Sequence, residues 1–213
     1  MPTRALGILF YALQQVNIFK EADMMSQKTK ALCEGAIMVA LALILGMLRL
    51  YRLPDGGSIT LSILPLTFFA LRYGSAWGFL AGFAFGGLDY VLNYGIAIDW
   101  TTILCDYFLA YGMLGLGAGL FKGRRGSAYS GTLAGGALMF LCSYLVGVFV
   151  WGKYMPAIFL GMPMTSPWFY SFLYNITWAG PDVALTLVIY ALLYRVRSLR
   201  RYLLREDLAV YAK

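Results

Sequence analysis

Four carboxylates stand where carboxylates are costly. Glu34, Asp89, Asp106 and Asp182 are each the only charge in a long apolar run. An ionisable group inside hydrocarbon costs a few kcal/mol, so acids kept there are candidates for handling a ligand or an ion. Polar and aromatic residues recur near them at helical spacing. Ser143, Gly147 and Trp151 follow i, i+4, i+8, and Ser171, Asn175, Trp178 and Asp182 follow i, i+4, i+7, i+11, each set on one helix face. A carboxylate, an amide and aromatic rings converging in one cavity suit a small aromatic or cationic ligand. Rings stack on flat heterocycles and attract cations, and an anion offsets positive charge at low dielectric.

Other chemistry is missing. The chain has no histidine, which excludes histidine triads, histidine metal sites and histidine proton relays built from its own residues. Cys33, Cys105 and Cys142 stand singly, without a CxxC, so neither a zinc site nor a disulfide framework is indicated. No GxxxxGK[ST] loop and no nucleophile–base pair occurs. The expectation is no catalytic residue, no metal and no cofactor. A binding pocket without an engine fits a carrier, or a subunit that borrows energy from another protein.

The elements that must position these groups are membrane helices. Of 213 residues, 61% are hydrophobic and only 13% charged, about half the charged share of a soluble domain. The apolar residues form six runs: 31–48, 59–71, 75–98, 101–121, 129–151 and 168–194. A span needs about 20 residues to cross roughly 30 Å of hydrocarbon. Five runs meet that length. The second is short and contains Pro65, so it either crosses tilted or is a broken helix covered by its neighbours. The expected fold is an all-α integral membrane protein with six transmembrane helices; five plus a re-entrant piece is the rival.

Six spans put both termini on one side. That side collects Lys28, Lys30, Arg72, Lys122, Arg124, Arg125 and the bases from Arg195 to Lys213; the other collects Arg49, Arg52 and Lys153. The bias places both termini in the cytoplasm and the chain, multi-pass, in the plasma membrane. The net charge of +7 then reports topology and contact with anionic lipid, with no nucleic-acid partner implied. On this topology Asp106 lies roughly 8 Å below the outer surface, Asn175 roughly 10 Å and Asp89 roughly 13 Å, so three helices bring polar groups into the outer half of the bundle. Asp182 falls roughly 21 Å down, and because it follows Pro181 it reads as structural or gating. Glu34, near the inner interface, reads as structural. Asp106 is the strongest ligand-contact candidate among the acids. Trp100, Trp151 and Trp168, taken singly, also fit a belt of interface anchors.

Three regions follow. Residues 1–24 form an N-terminal extension, either without function or an interfacial helix; residues 25–197 form the membrane substrate-binding domain; residues 198–213 form a basic cytoplasmic tail. The first helix carries Ala36 and Ala40 as an AxxxA face, with Ala42 and Gly46 as a second small pair, and such faces admit a closely packed helix from this chain or a partner. The loop from Arg49 to Ser58, with Pro54, Gly56 and Gly57, has the backbone freedom of a lid.

Several segments together resemble the thiamin-specific substrate-binding (S) components of energy-coupling factor (ECF) vitamin transporters. These are EGAIMVALALILG in the first helix, PDGGSITLSILPLTFFALRYG from Pro54 to Gly74, and LCDYFLAYGMLGLGAGLF from Leu104 to Phe121. VFVWGKY from Val148 to Tyr154 and WFYSFLYNITWAGPD from Trp168 to Asp182 complete the set. The resemblance runs from about Leu32 to Arg195. It implies a six-helix subunit that captures thiamin or a close analogue from outside and delivers it with a transmembrane coupling subunit and ATPase subunits, docking through Ala36 and Ala40. It places the ligand-contact acid on Asp106, a tryptophan on Trp151, a tyrosine on Tyr170 and an asparagine on Asn175. One position departs: where the family has a Cys-His pair eight residues before the tryptophan, this chain has Cys142-Ser143. Ser143 keeps a hydroxyl but loses the ring, which implies a pocket that is larger, rearranged, or tuned to a relative of thiamin. The rivals to this reading are an S component for another small metabolite and a non-transport membrane assembly protein.

Overall fold

The computed structural model describes residues 26–53, 57–124, 126–193 and 195. The 1–24 extension, the 198–213 tail and the loop tip from Pro54 to Gly56 lie outside the described residues. Six helical segments follow one another: α1 (Ser26–Met47), α2 (Ile63–Tyr73), α3 (Ser75–Leu92), α4 (Trp100–Gly119), α5 (Ser127–Phe149) and α6 (Pro167–Leu193). Among the described residues, α1, α4, α5 and α6 are long and apolar enough to cross a membrane. Two small antiparallel hairpins complete the chain. β1 (Tyr51–Arg52) pairs with β2 (Ser58–Ile59) between α1 and α2. β3 (Ile158–Phe159) pairs with β4 (Met162–Pro163) between α5 and α6.

Three boundaries differ from the apolar runs: α1 begins at Ser26, five residues before the first run, and two others depart inside the bundle. The second run starts at Ile59, but that residue pairs in β2, and α2 has only 11 residues, about 16 Å of helix. Pro65 is tolerated because it occupies the third helical position, where a backbone donor has no intrahelical partner to lose. The third run continues to Ile98, but α3 stops at Leu92. Tyr94 turns the chain with φ +55°, and the Gly95 amide donates back to the Tyr90 carbonyl at 2.9 Å. Apolar composition does not register such a turn. It leaves Asp89 three residues from the end of α3, so the depth of roughly 13 Å, which assumes helix as far as Ile98, no longer follows.

The core forms where Ile63, Leu66 and Phe69 of α2 meet Phe85 of α3, Leu114 of α4 and Met139 of α5. Glycine sets the closeness of α3 to α4. A Cβ built on Gly82 would lie 2.0 Å from the Tyr111 carbonyl oxygen, and one on Gly115 would lie 2.0 Å from that of Gly78. These backbones touch, and a side chain at either position would force the helices apart. Gly115→Ala is therefore expected to lower stability by about 1–3 kcal/mol, the range for overpacking. An unchanged thermal unfolding midpoint in detergent would contradict this packing.

Polar side chains tie the helices to one another. Arg72, counted from sequence among the surface bases, is instead 1% exposed, and its Nε donates to Glu34 Oε2 at 3.1 Å. This ties α1 to the end of α2 and gives Glu34 the structural role expected of it. Thr67 of α2 and Tyr190 of α6 share a hydroxyl hydrogen bond of 3.0 Å. The three cysteines are free, and Cys33 is exposed on α1.

Candidate substrate-binding site

The site begins with a distortion in α4. From Ile103 to Leu109 the helix is wound with π-type hydrogen bonding. Such bulges change which residues share a face and are common at functional sites. The π segment carries Asp106 and Tyr107. The close approach of Gly86 to the Tyr107 carbonyl, where an added Cβ would lie 2.2 Å away, holds it against α3.

Asp106, Ser143, Trp151, Tyr170 and Asn175, all selected from sequence, line one cavity between α4, α5 and α6. Trp151 sits in the 3-10 turn Trp151–Tyr154 just past α5, and its indole Nε1 donates to Asp106 Oδ2 at 2.9 Å. Among the described residues Asp106 Oδ1 has no hydrogen-bond partner, so one carboxylate oxygen is braced and the other is available. The α5–α6 contact fixes the opposite wall. Ser171 Oγ donates to the Tyr144 carbonyl at 2.7 Å. Asn175 Nδ2 donates to the Ser171 carbonyl at 2.9 Å and reaches the Ser143 carbonyl at 3.5 Å. The Asn175 carbonyl oxygen therefore remains as an acceptor. Gly147 permits this closeness, since a Cβ there would lie 2.2 Å from Ser171 Oγ.

Aromatic rings form much of the remaining lining. Tyr107, Tyr111, Tyr174 and Trp178 face the cavity with the predicted residues, as does Asp89. Tyr170 and Tyr174 lie 5.8 Å apart between centroids, and Phe159 of β3 meets the Tyr170 ring edge-on at 5.6 Å. Tyr107, Tyr111 and Tyr174 were missed as site residues although the signal was present. Tyr107 and Tyr111 are i, i+4 beside Asp106, and Tyr174 is i+4 from Tyr170. Trp100 and Trp168, by contrast, are 74% and 50% exposed and stand outside the cavity, as anchors do.

The loop between α1 and α2 closes one side. The Gly57 amide donates to the Tyr174 hydroxyl at 2.7 Å, and a Cβ on Gly57 would lie 2.8 Å from Trp178 Cδ1. Gly57 and Ser58 thus cover the rings at a distance only glycine allows. A smaller polar cavity adjoins, sharing Ser58, Asp89, Tyr107 and Tyr111 and bordered by Arg49 and Arg52. There Arg49 donates to the Asn93 carbonyl, and Asn93 Nδ2 holds Asp89 Oδ1 at 2.6 Å.

Ala36 and Ala40 lie elsewhere. Both are exposed on α1 and border an apolar groove between α1 and α3 that also includes Leu80, Ala84 and Leu88. Ala42 and Gly46, the second small pair, are buried in the bundle. The structure thereby separates two faces that the sequence could not.

The arrangement is a polar-edged aromatic cavity lined by two acids, Asp106 and Asp89, each with one carboxylate oxygen held by a side-chain donor. Among the described residues no group of three or more histidine, cysteine or acidic side chains could hold a metal ion.

Residues 32–200 match the profile of a family described as thiamine transporter protein. The chain is similar to the thiamine transporter ThiT of Bacillus subtilis (strain 168), 25% identical over 183 residues, covering 79% of this chain and 92% of that protein. It is 27% identical over 178 residues to the thiamine transporter ThiT of Lacticaseibacillus paracasei, covering 76% and 86% respectively. Among solved structures, ThiT from Listeria monocytogenes superposes with a TM-score of 0.71 at 22% identity, covering 83% of this chain and 98% of that one. The S-component for biotin from an ECF-type ABC transporter superposes with a TM-score of 0.53 at 20% identity, covering 84% and 97%. At these identities the structural likeness concerns the fold.

Proposed function

The chain belongs to the thiamine transporter protein family, and on that premise we propose that its aromatic cavity captures thiamin or a close analogue. It is a multi-pass protein of the cell membrane, a substrate-binding S component and not an enzyme. The observation that carries the ligand assignment is the Asp106–Trp151 pair. A carboxylate braced by an indole, with its second oxygen available, is matched to a flat cation such as a thiazolium or to an aminopyrimidine edge. Trp151 and Tyr170 enclose the rings, and Asn175 supplies an acceptor for a polar edge. Ser143 leaves room beside Asn175 where the family histidine would stand, which favours tolerance of ring analogues as the second reading.

Six spans with both termini in the cytoplasm complete the proposal. The asymmetric placement of lysine and arginine supports that orientation, and it opens the cavity outward. The segment around Gly57 acts as a lid. Delivery depends on a transmembrane coupling subunit and ATPase subunits, since the chain has no phosphate-binding loop. The exposed face at Ala36 and Ala40 is where the coupling subunit docks.

Titration of the purified protein with thiamin tests the ligand directly. Trp151 and Trp178 both line the cavity, so saturable quenching of tryptophan fluorescence is expected at micromolar ligand or below. Trp151→Phe keeps a ring but removes the Nε1 donor, and affinity should fall roughly tenfold, the worth of one hydrogen bond to a charged group. Absence of saturable quenching by thiamin, with quenching by another vitamin, would reassign the cavity.

A further inference from the structure

Of the four acids in apolar runs, Glu34 and Asp182 do not line the ring cavity, and Glu34 is paired with Arg72. Asp182 is 2% exposed, and among the described residues it pairs with no base. A buried carboxylate of this kind is retained only where fixed donors compensate its desolvation. Its donor is in another element: the Thr60 backbone N–H donates to Asp182 Oδ1 at 2.7 Å. Thr60 is itself the root of a small network. Its Oγ1 shares a hydrogen bond of 2.9 Å with Ser62 Oγ and accepts from the Ser62 amide at 3.3 Å. Ser62 is the N-cap of α2 and makes no side-chain hydrogen bond to the helix.

Its position on α6 gives this bond a further consequence. Tyr174, Trp178 and Asp182 recur at i, i+4, i+8 along one face, and they meet the incoming loop in turn. Tyr174 accepts from Gly57, Trp178 packs on Gly57, and Asp182 holds Thr60. Residues 57–60 are therefore strung along α6. Tyr174 and Trp178 also line the cavity, so their contacts with the loop cannot be separated from contact with a ligand. Asp182 lies one turn past Trp178, outside the cavity lining.

We propose that Asp182 is a positioning residue for substrate capture, whose carboxylate pins Thr60 as the fixed end of the lid and seats residues 57–60 over the ring cavity. The ligand used in the kinetic test rests on the thiamin reading; the anchoring itself does not.

Two measurements on the full chain test it. Hydrogen exchange without ligand should show faster exchange in the peptide covering residues 57–62 for Asp182→Ala, while the helices keep wild-type protection. In stopped-flow fluorescence with thiamin, Asp182→Ala should dissociate roughly tenfold faster without slower association, the worth of a hydrogen bond to a charged group. Asp182→Asn retains an acceptor oxygen for the Thr60 amide and should restore most of the difference in both measurements. A purely structural role would instead reduce the active fraction, seen as amplitude, and leave the rates of the remaining molecules unchanged. That result, or wild-type exchange at residues 57–62 in Asp182→Ala, would overturn the proposal. Failure of wild-type protein to bind thiamin would overturn the ligand assignment alone, with the exchange result still deciding the anchor.

Discussion

Asp106→Asn is expected to bind thiamin about 100-fold more weakly than wild type, roughly 3 kcal/mol. The substitution conserves shape and leaves an oxygen that can still accept from Trp151 Nε1, so it isolates charge. In a cavity walled by tyrosine and tryptophan rings the effective dielectric is low, and a fixed anion opposite a cationic ring acts with little screening. The pocket is assembled from α3, α4, α5, α6 and the α1–α2 loop, and the asparagine keeps the acceptor for Trp151, so the ligand-free thermal unfolding midpoint should move little. Isothermal titration of the two proteins at equal salt makes the comparison. Equal affinity would remove the carboxylate from the recognition of thiamin.

The second large effect is expected at the surface proposed for docking. Ala36→Leu combined with Ala40→Leu should leave thiamin affinity within about twofold of wild type while reducing copurification with the coupling complex, and cellular uptake, by more than tenfold. Both alanines are exposed and border the apolar groove between α1 and α3, so two isobutyl groups would project outward from α1. Small residues permit close helix approach, and adding bulk removes the contact surface along a full turn. Wild-type recovery of the complex with the double variant would move the docking surface away from α1. Loss of thiamin binding would show that this face packs within the subunit instead.

These two variants divide the molecule as its sequence does. Membrane residence is legible in composition, because hydrocarbon excludes charge and the apolar runs must be long. The helix limits agree closely for α4, α5 and α6, whose apolar runs extend without internal turns. Asp106, Ser143, Trp151, Tyr170 and Asn175 were also legible, through helical spacing, an acid in an apolar run, and resemblance to a vitamin-binding family. All five line one cavity.

Where the sequence misled, the cause was contact between distant segments. The start of the second run reads as helix, yet its first residue, Ile59, pairs with Tyr51 in a hairpin and the next, Thr60, bonds to α6. Arg72 reads as a solvated base at a membrane edge, yet Glu34, in the preceding helix, draws it into the bundle. Tyr174 reads as one more aromatic in an apolar helix until Gly57, 117 positions earlier, donates to its hydroxyl. The π winding at Asp106 has no composition signal, because it exchanges one set of backbone hydrogen bonds for another within the same apolar residues.

Membrane residence, the set of acids and aromatics available to meet a ligand, and the lack of a GxxxxGK[ST] loop could all be read along the chain. Periodicity and composition suffice for these because they depend on single residues and their neighbours along one helix. Tertiary structure alone decided which oxygen of Asp106 remains available, which small face of α1 points outward, and that Asp182 holds a loop. Those depend on how the helices approach one another, and a carboxylate buried against a backbone amide is spelled the same way as one that meets a ligand.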